Sequence, residues 1–279
     1  MSVTTKARWI IERQLASDLT LDSIAAACGV SRFHLAHAFA NAIGMSVMDY
    51  VRARRLSQAA LRLADGADDI LGLALGTGYG SHEAFSRAFK RRFGVTPEDV
   101  RRRGSTDGLD LLGAGAIHVP RRADLAPPRL VDGPEVQAVG LSVRYDFFDA
   151  SGIPAQWQTF MRTLADGIPD RAPGAPLSIS ADLQDDLTFA YITAVPVKRI
   201  SHVTLPLTSI RIPARRWAVF RHAAHVSAIP ATYAAIWDYG FHDQGLIVEA
   251  APSMELHSPT FDPRTGEGGV EIWMPVKAA

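Results

Sequence analysis

The sequence predicts two domains of different class: an all-α N-terminal domain with two helix-turn-helix units, and an α+β C-terminal domain of two similar strand-helix-strand-strand halves. Three observations carry this. First, the stretch from Ser31 to Ser46 recurs 50 residues later, from Ser81 to Thr96, without a gap. Phe39 falls on Phe89, Gly44 on Gly94, and apolar residues meet apolar residues at helical spacing. Second, the charge divides. Residues 1–105 hold 15 Lys+Arg against 10 Asp+Glu, net +5, and residues 106–279 hold 14 against 19, net −5. A basic half followed by an acidic half predicts a polyanion-binding domain joined to something else. Third, beyond Leu130 the helical period gives way to mixed strands and helices with a second, weaker repeat.

The chain has 279 residues, 47% of them hydrophobic, enough for two cores. No apolar run approaches the roughly 18 residues of a membrane span, so no membrane contact is expected. Arg8, Glu12 and Arg13 interrupt any apolar leader at the N-terminus. Cys28 is the single cysteine, so no intrachain disulfide forms and a reducing, cytoplasmic setting fits. Set among small residues before Gly29, Cys28 reads as a buried side chain rather than a nucleophile.

In order, residues 4–16 read as a helix containing Trp9, Ile10, Arg13 and Leu15. Thr20 caps a short helix from Leu21 to Cys28, Gly29-Val30 makes a tight turn, and Ser31 starts the first copy of the repeat. Helix, Gly-containing turn and second helix with a polar outer face is the helix-turn-helix arrangement. Ser46 caps a long helix from Val47 to Ala64, about 27 Å at 1.5 Å per residue. Asp65-Gly66 ends it, Ile70 to Leu75 is a short helix, and Gly76 to Gly80 is a turn around Tyr79. Ser81 caps the second copy, whose Phe85, Phe89 and Phe93 make one apolar face, and Gly94 closes it. Thr96-Pro97-Glu98-Asp99 opens a further helix with a cap, Pro at the first position and acids in the first turn. A rigid helix between two such units can hold two reading helices about 34 Å apart, one turn of B-DNA, so that a monomer reads successive major grooves.

These residues resemble the AraC-type transcription regulators. The carriers are Ile24-Ala25 with Gly29-Val30-Ser31, Phe39 and Gly44, the helix Tyr50 to Leu56, and Gly78-Tyr79-Gly80-Ser81 with Phe85 to Pro97, so the likeness covers about residues 6–103. It implies a transcription factor that binds double-stranded DNA, with RNA polymerase as an expected partner. It also implies that the outer positions of both helices read bases: Arg32, Phe33, Ala36 and His37 in the first copy, His82, Glu83 and Arg87 in the second. Arg87 suits a bidentate pair with guanine and Glu83 a bond from cytosine. Arg54, Lys90 and Arg91 suit phosphate contacts, which position without specifying. Ala36 and Ala40 are short where a longer side chain would reach further, which predicts less base reading by the first copy. The bland alternative for all of these is a solvated helix face.

Three stretches are expected: a DNA-binding domain over 1–105, a linker over 106–127, and a second domain over 128–279. Gly104-Ser105, Gly113, Gly115, Pro120 and Pro127-Pro128 mark the connector, with one short strand at Ala116 to Val119. Beyond it, Val136 to Tyr145 and Leu187 to Val197 read as strands, and Pro154 to Leu164 and Ile229 to Tyr239 as helices. A period near 80 places Ala138-Val139 on Ala218-Val219, Trp157 on Trp237, and Val195-Pro196-Val197 on Met274-Pro275-Val276 one position early. Paired halves create a cleft, a usual place for a ligand.

This half resembles the GyrI-like small-molecule-binding domain, on Val139-Gly140-Leu141, Trp217-Ala218-Val219-Phe220, Met254-Glu255-Leu256 and Val270 to Val276. The resemblance implies an effector site lined with aromatics, with a buried glutamate that accepts hydrophobic and frequently cationic compounds. Glu255 is the first candidate and Glu271 the second, with Trp157, Trp237, Trp273 and Tyr191 as lining; core packing is the alternative for the tryptophans. His257 departs from the family, in which an aromatic residue usually follows the glutamate by two. Some members are hydrolases of reactive small molecules, which makes Glu255 acting as a base the alternative function; fusion to a DNA-binding module favours a sensor that is not an enzyme. No cofactor motif is present. His222 and His225 form a His-x-x-His pair, but after a strand and without a nearby Cys, so no metal is expected.

Overall fold

The computed structural model describes residues 2–66, 69–113, 125–147, 149–184, 188–201, 203–241, 244–262 and 264–278. The chain divides into two compact units, Met1–Arg121 and Arg122–Ala279. The strand expected at Ala116 to Val119 lies outside the described residues.

The first unit is helical: α1 (Val3–Arg13), α2 (Leu21–Cys28), α3 (Arg32–Ile43), α4 (Val47–Ala64), α5 (Ile70–Gly76), α6 (His82–Phe93) and α7 (Pro97–Arg103). Each start has a local cause. The hydroxyls of Ser31, Ser46, Ser81 and Thr96 accept from the third backbone N–H of their helices, and Thr20 and Thr96 form reciprocal capping boxes with Ser23 and Asp99. Gly44 and Gly94 close α3 and α6 in the left-handed region, at φ 76° and 75°, where a side chain would be strained. The 50-residue repeat is therefore one local geometry used twice. Leu35, Phe39, Phe85 and Phe89 are all fully buried. Around the second copy Phe85 and Phe89 pack with Leu56, Leu63, Leu73 and Val100. Of the residues expected on the first helix, Ile10 is buried, whereas Trp9 is 55% exposed with the Arg13 guanidinium 4.7 Å from its ring centre.

Among the described residues the second unit is an antiparallel sheet with two α-helices. Its elements are β1 (Arg129–Gly133), β2 (Val136–Asp146), α8 (Ile153–Thr159), β3 (Leu177–Ala181), β4 (Thr188–Pro196), β5 (Leu207–Ile212), β6 (Arg215–His222), α9 (Ile229–Ala235), β7 (Leu246–Val248), β8 (Ser253–His257) and β9 (Val270–Ala278). Among the described residues the strand order is β1-β6-β9-β8-β3-β4-β2-β5, with β7 pairing β9. The halves are β2-α8-β3-β4 and β6-α9-β8-β9, and β3 joins β8 at the centre, with Ser178 opposite Glu255.

The repeat is real but its register needs correcting. Both helices begin Ile-Pro-Ala and run into a five-residue π-helical turn, Phe160–Leu164 and Ile236–Gly240. Their starts, Ile153 and Ile229, differ by 76, which places Trp157 on Tyr233 and not on Trp237. Ala138-Val139 and Ala218-Val219 do not superpose by face either. Val139 packs with Phe160 and Val195, whereas Val219 packs with Ala138 on the other side of the sheet. A shift of one residue in a strand reverses its faces, so identical dipeptides can mislead.

Candidate functional site

On the first unit, Arg32, Glu83, Arg87, Lys90 and Arg91 are exposed on α3 and α6. Phe33 and His37 are half-buried and meet edge to face at 4.5 Å. Desolvation, with repulsion from His34, lowers the His37 pKa to about 3, so its imidazole is neutral. His82 is partly exposed and its Nε2 lies 3.0 Å from Glu98 Oε1. Glu83 is held below the usual carboxylate range by hydrogen bonds from its own backbone N–H and from Ser81.

Two residues stand differently from expectation. Arg54 is 7% exposed and faces inward, its Nε and Nη2 both 2.7 Å from the Glu12 carboxylate, with Nη1 donating to the Leu112 carbonyl. A guanidinium held this way ties α1, α4 and the chain after α7 together and is not available to a phosphate. Ala40 is 2% exposed, so its size reflects packing and says nothing about base reading. Periodicity alone missed both, because α3, which carries Ala40, and α4, which carries Arg54, are each buried on more than one side.

On the second unit the pleat decides which candidates meet. Glu255 stands on the face of β8 shared with Ile272 of β9, whereas Trp273 is opposite Met254 and shares the other face. Glu271 and Trp273 are thus separated from Glu255 by the sheet. Trp273 donates from Nε1 to Glu271 at 3.0 Å and packs on Trp217, and Arg129 pairs with Glu271 at 3.0 Å. Trp237 is 3% exposed, in edge contact with Phe241. The structure brings together Glu255, Tyr191 and Trp157, and adds Ser178, Tyr233 and His257.

The Ser178 hydroxyl donates to Glu255 Oε2 at 2.9 Å, Tyr233 to Oε1 at 3.0 Å, and Tyr191 to Oε2 at 3.5 Å. The Trp157 indole N–H donates to the Tyr191 hydroxyl at 3.1 Å and fixes that ring. His257 stacks on Phe261 with ring centres 4.0 Å apart and lies 5.2 Å from Trp157. Gln156, one residue before Trp157, donates its amide to the Leu141 and Tyr191 carbonyls and anchors α8 to the sheet. Thr232, one residue before Tyr233, contacts His222 Nδ1 at 2.8 Å in the same way for α9. His222 Nε2 meets the His225 carbonyl and His225 Nδ1 meets Ser227, so both histidines are engaged locally.

Desolvation raises the Glu255 pKa, opposed by bonds from Ser178, Tyr233 and Tyr191 and by the nearby His222. Tyr191 and Tyr233 are pushed up by burial and by the carboxylate they face. The carboxyl is crowded by neighbours, yet Glu255, Tyr233, Trp157 and His257 all retain partial solvent exposure. Such a group lacks a full counter-charge and remains reachable. Ser178 and Tyr233 were not foreseen. The repeated Ile-Pro-Ala followed by an aromatic two residues on would have signalled Tyr233; Ser178 depends on strand pairing, which carries no local mark.

Residues 126–277 match the family described as "GyrI-like small molecule binding domain". The chain belongs to this family. Ahead of its GyrI-like domain, residues 24–103 match the description "Helix-turn-helix domain", of AraC type. The Right origin-binding protein of Escherichia coli (strain K12) is 41% identical over 92 residues, 33% of this chain and 32% of that protein. Regulatory protein SoxS of the same strain is 36% identical over 93 residues, 33% of this chain and 87% of that protein. The GyrI-like protein thus spans about a third of the length of the first curated relatives it matches. Among solved structures, a protein bound to tetraphenylphosphonium has a TM-score of 0.46 at 20% identity, covering 55% of this chain and 94% of that one. An AraC-type regulator from Chromobacterium violaceum has a TM-score of 0.36 at 28% identity, covering 38% and 94%. Among the described residues no helix is long and apolar enough to cross a membrane.

Proposed function

We propose that this protein is a sequence-specific DNA-binding transcription regulator whose C-terminal domain binds a hydrophobic, cationic small molecule. The observation that carries the DNA-binding half is the duplicated, identically capped helix pair, α3 and α6, on either side of the 18-residue α4. Both helices present polar and basic residues outward, including Arg32, Arg87, Lys90 and Arg91. Such a chain binds two half-sites about one helical turn apart as a monomer, and RNA polymerase is the partner a transcription regulator addresses. Glu255 supports the ligand half: a desolvated carboxyl among Tyr191, Tyr233 and Trp157 gains most from a cation with an apolar, aromatic-facing body.

The test of DNA reading is a panel of base-substituted sites. Arg87→Ala should weaken binding and relax one base position, by about 1–3 kcal/mol. Lys90→Ala should weaken all sites alike and reduce the salt dependence by about one charge. Identical behaviour of the two variants across the panel would contradict this division of roles.

A further inference from the structure

Two consecutive arginines near the middle of α4 each reach both halves of the first unit. Arg54 joins Glu12 of α1 to the Leu112 carbonyl beyond α7, and the Leu112 N–H donates to Ser57 of α4 at 2.9 Å. Leu111, beside it, packs on the core of the second copy. Arg55 stands about 100° further round the helix and makes another bridge. Its Nε donates to the Leu15 carbonyl at 2.9 Å and its Nη2 to the Ser17 carbonyl at 2.6 Å, both in the turn after α1. Its Nη1 lies against Gly78, in the turn that leads from α5 into α6. A Cβ at Gly78 would come within 2.7 Å of that nitrogen, and the φ of 83° there also favours glycine. Apolar packing of α4 on its neighbours is non-directional and leaves room for a small pivot. A planar guanidinium held at several points of its fork fixes angle as well as distance.

We propose that Arg55 is a positioning residue for DNA reading: by locking the turn after α1 to the turn before α6, it fixes the angle between α3 and α6 and so selects the spacing of the two half-sites, without itself touching a base. This rests on the DNA-reading proposal above and deepens it. Half-site spacing is sensitive to that angle. One added base pair carries the second half-site about 3.4 Å along the axis and about a tenth of a turn around it. A protein whose halves cannot pivot must then deform the duplex, which costs affinity, whereas one that can pivot follows the displaced site. Arg55 separates the positioning role from simple stability better than Arg54 does. Arg54 is buried against a carboxylate, whereas Arg55 is half-buried and bonds backbone carbonyls that water can reach in its place.

Selection of bound duplexes from a random pool by the full chain, followed by sequencing, yields both half-sites and their spacing. Affinity is then measured, at one salt concentration, for the selected duplex and for versions with one base pair added or removed between the half-sites. The unaltered protein should prefer the selected spacing by at least about tenfold. Arg55→Met should select the same half-site sequences but bind the three spacings to within about threefold of one another. Arg55→Lys, whose point charge cannot hold both carbonyls in one plane, should fall between the two. It carries the test if Arg55→Met does not fold, and a spacing preference unchanged in Arg55→Lys would then overturn the proposal. A full preference in folded Arg55→Met overturns it as well. An equal loss at every spacing makes Arg55 a phosphate contact, and altered half-site sequences make it a base contact; either result removes it from the positioning role. If the unaltered protein selects no paired half-sites, the DNA-reading proposal itself fails.

Discussion

Burial sets Glu255 apart from a carboxyl in water. Its raised pKa means the folded protein holds the proton more tightly than the unfolded chain does. The associated stabilisation is fully present below the ordinary Glu value of 4.5 and is lost as pH rises through the folded value. Glu255→Gln should remove that slope, seen as a flatter stability–pH curve above about pH 4.5. Cation binding has the opposite sign: it needs the ionised carboxylate, so it should strengthen as pH rises through the raised pKa and release protons. Glu12 behaves the other way. Desolvation opposes its ionisation, but bonds from Arg54 and Tyr50 and the Arg54 charge outweigh this and hold its pKa below the usual range. Its contribution is present above the ordinary value and is lost as pH falls through the folded one. Glu12→Gln leaves a largely buried guanidinium short of a counter-charge and should destabilise the first unit by about 3–5 kcal/mol, measured by denaturant unfolding.

At the scale of elements, the repeated helices make the clearest prediction. Phe39 and Phe89 are both fully buried at equivalent positions. Either truncation to Ala should cost about 3–5 kcal/mol through lost burial and a cavity, and a loss below about 1 kcal/mol would contradict the packing. These helices were legible in the sequence because each carries its own start and stop, a Ser hydroxyl on the first turn and a Gly in the left-handed region, and an apolar residue at every fourth position: Leu35, Phe39 and Ile43 in α3, Phe85, Phe89 and Phe93 in α6. The helix-plus-sheet nature of the second unit was legible for similar reasons. Its site was legible only in part. Glu255, Tyr191 and Trp157 converge as expected, but Glu271 and Trp273 lie across the sheet and Trp237 packs with Phe241. Which face a strand residue takes depends on register with partners far along the chain. Ser178 meets Glu255 only because β3 pairs β8, and no short stretch of sequence records that pairing. Arg54 was misjudged for the converse reason: a long polar side chain on a helix looks solvent-facing until its partner, Glu12, arrives from another helix.

For the whole molecule, a regulator needs ligand and DNA to influence each other. A cation that changes the affinity for DNA must have its own affinity changed by DNA to the same factor, whatever route connects the two. Titrating the full chain with naphthylmethylammonium in the presence and absence of a duplex carrying both half-sites should show that reciprocity, and a DNA affinity unaffected by saturating cation would argue against a sensor. All of this depends on Glu255 being where positive charge is recognised. The most direct test is calorimetric titration of the protein and of Glu255→Gln with naphthylmethylammonium and naphthylmethanol. The unaltered protein should prefer the cation, and the Gln variant should lose that preference while still binding the alcohol. A preference for the cation that persists unchanged in Glu255→Gln would contradict the assignment.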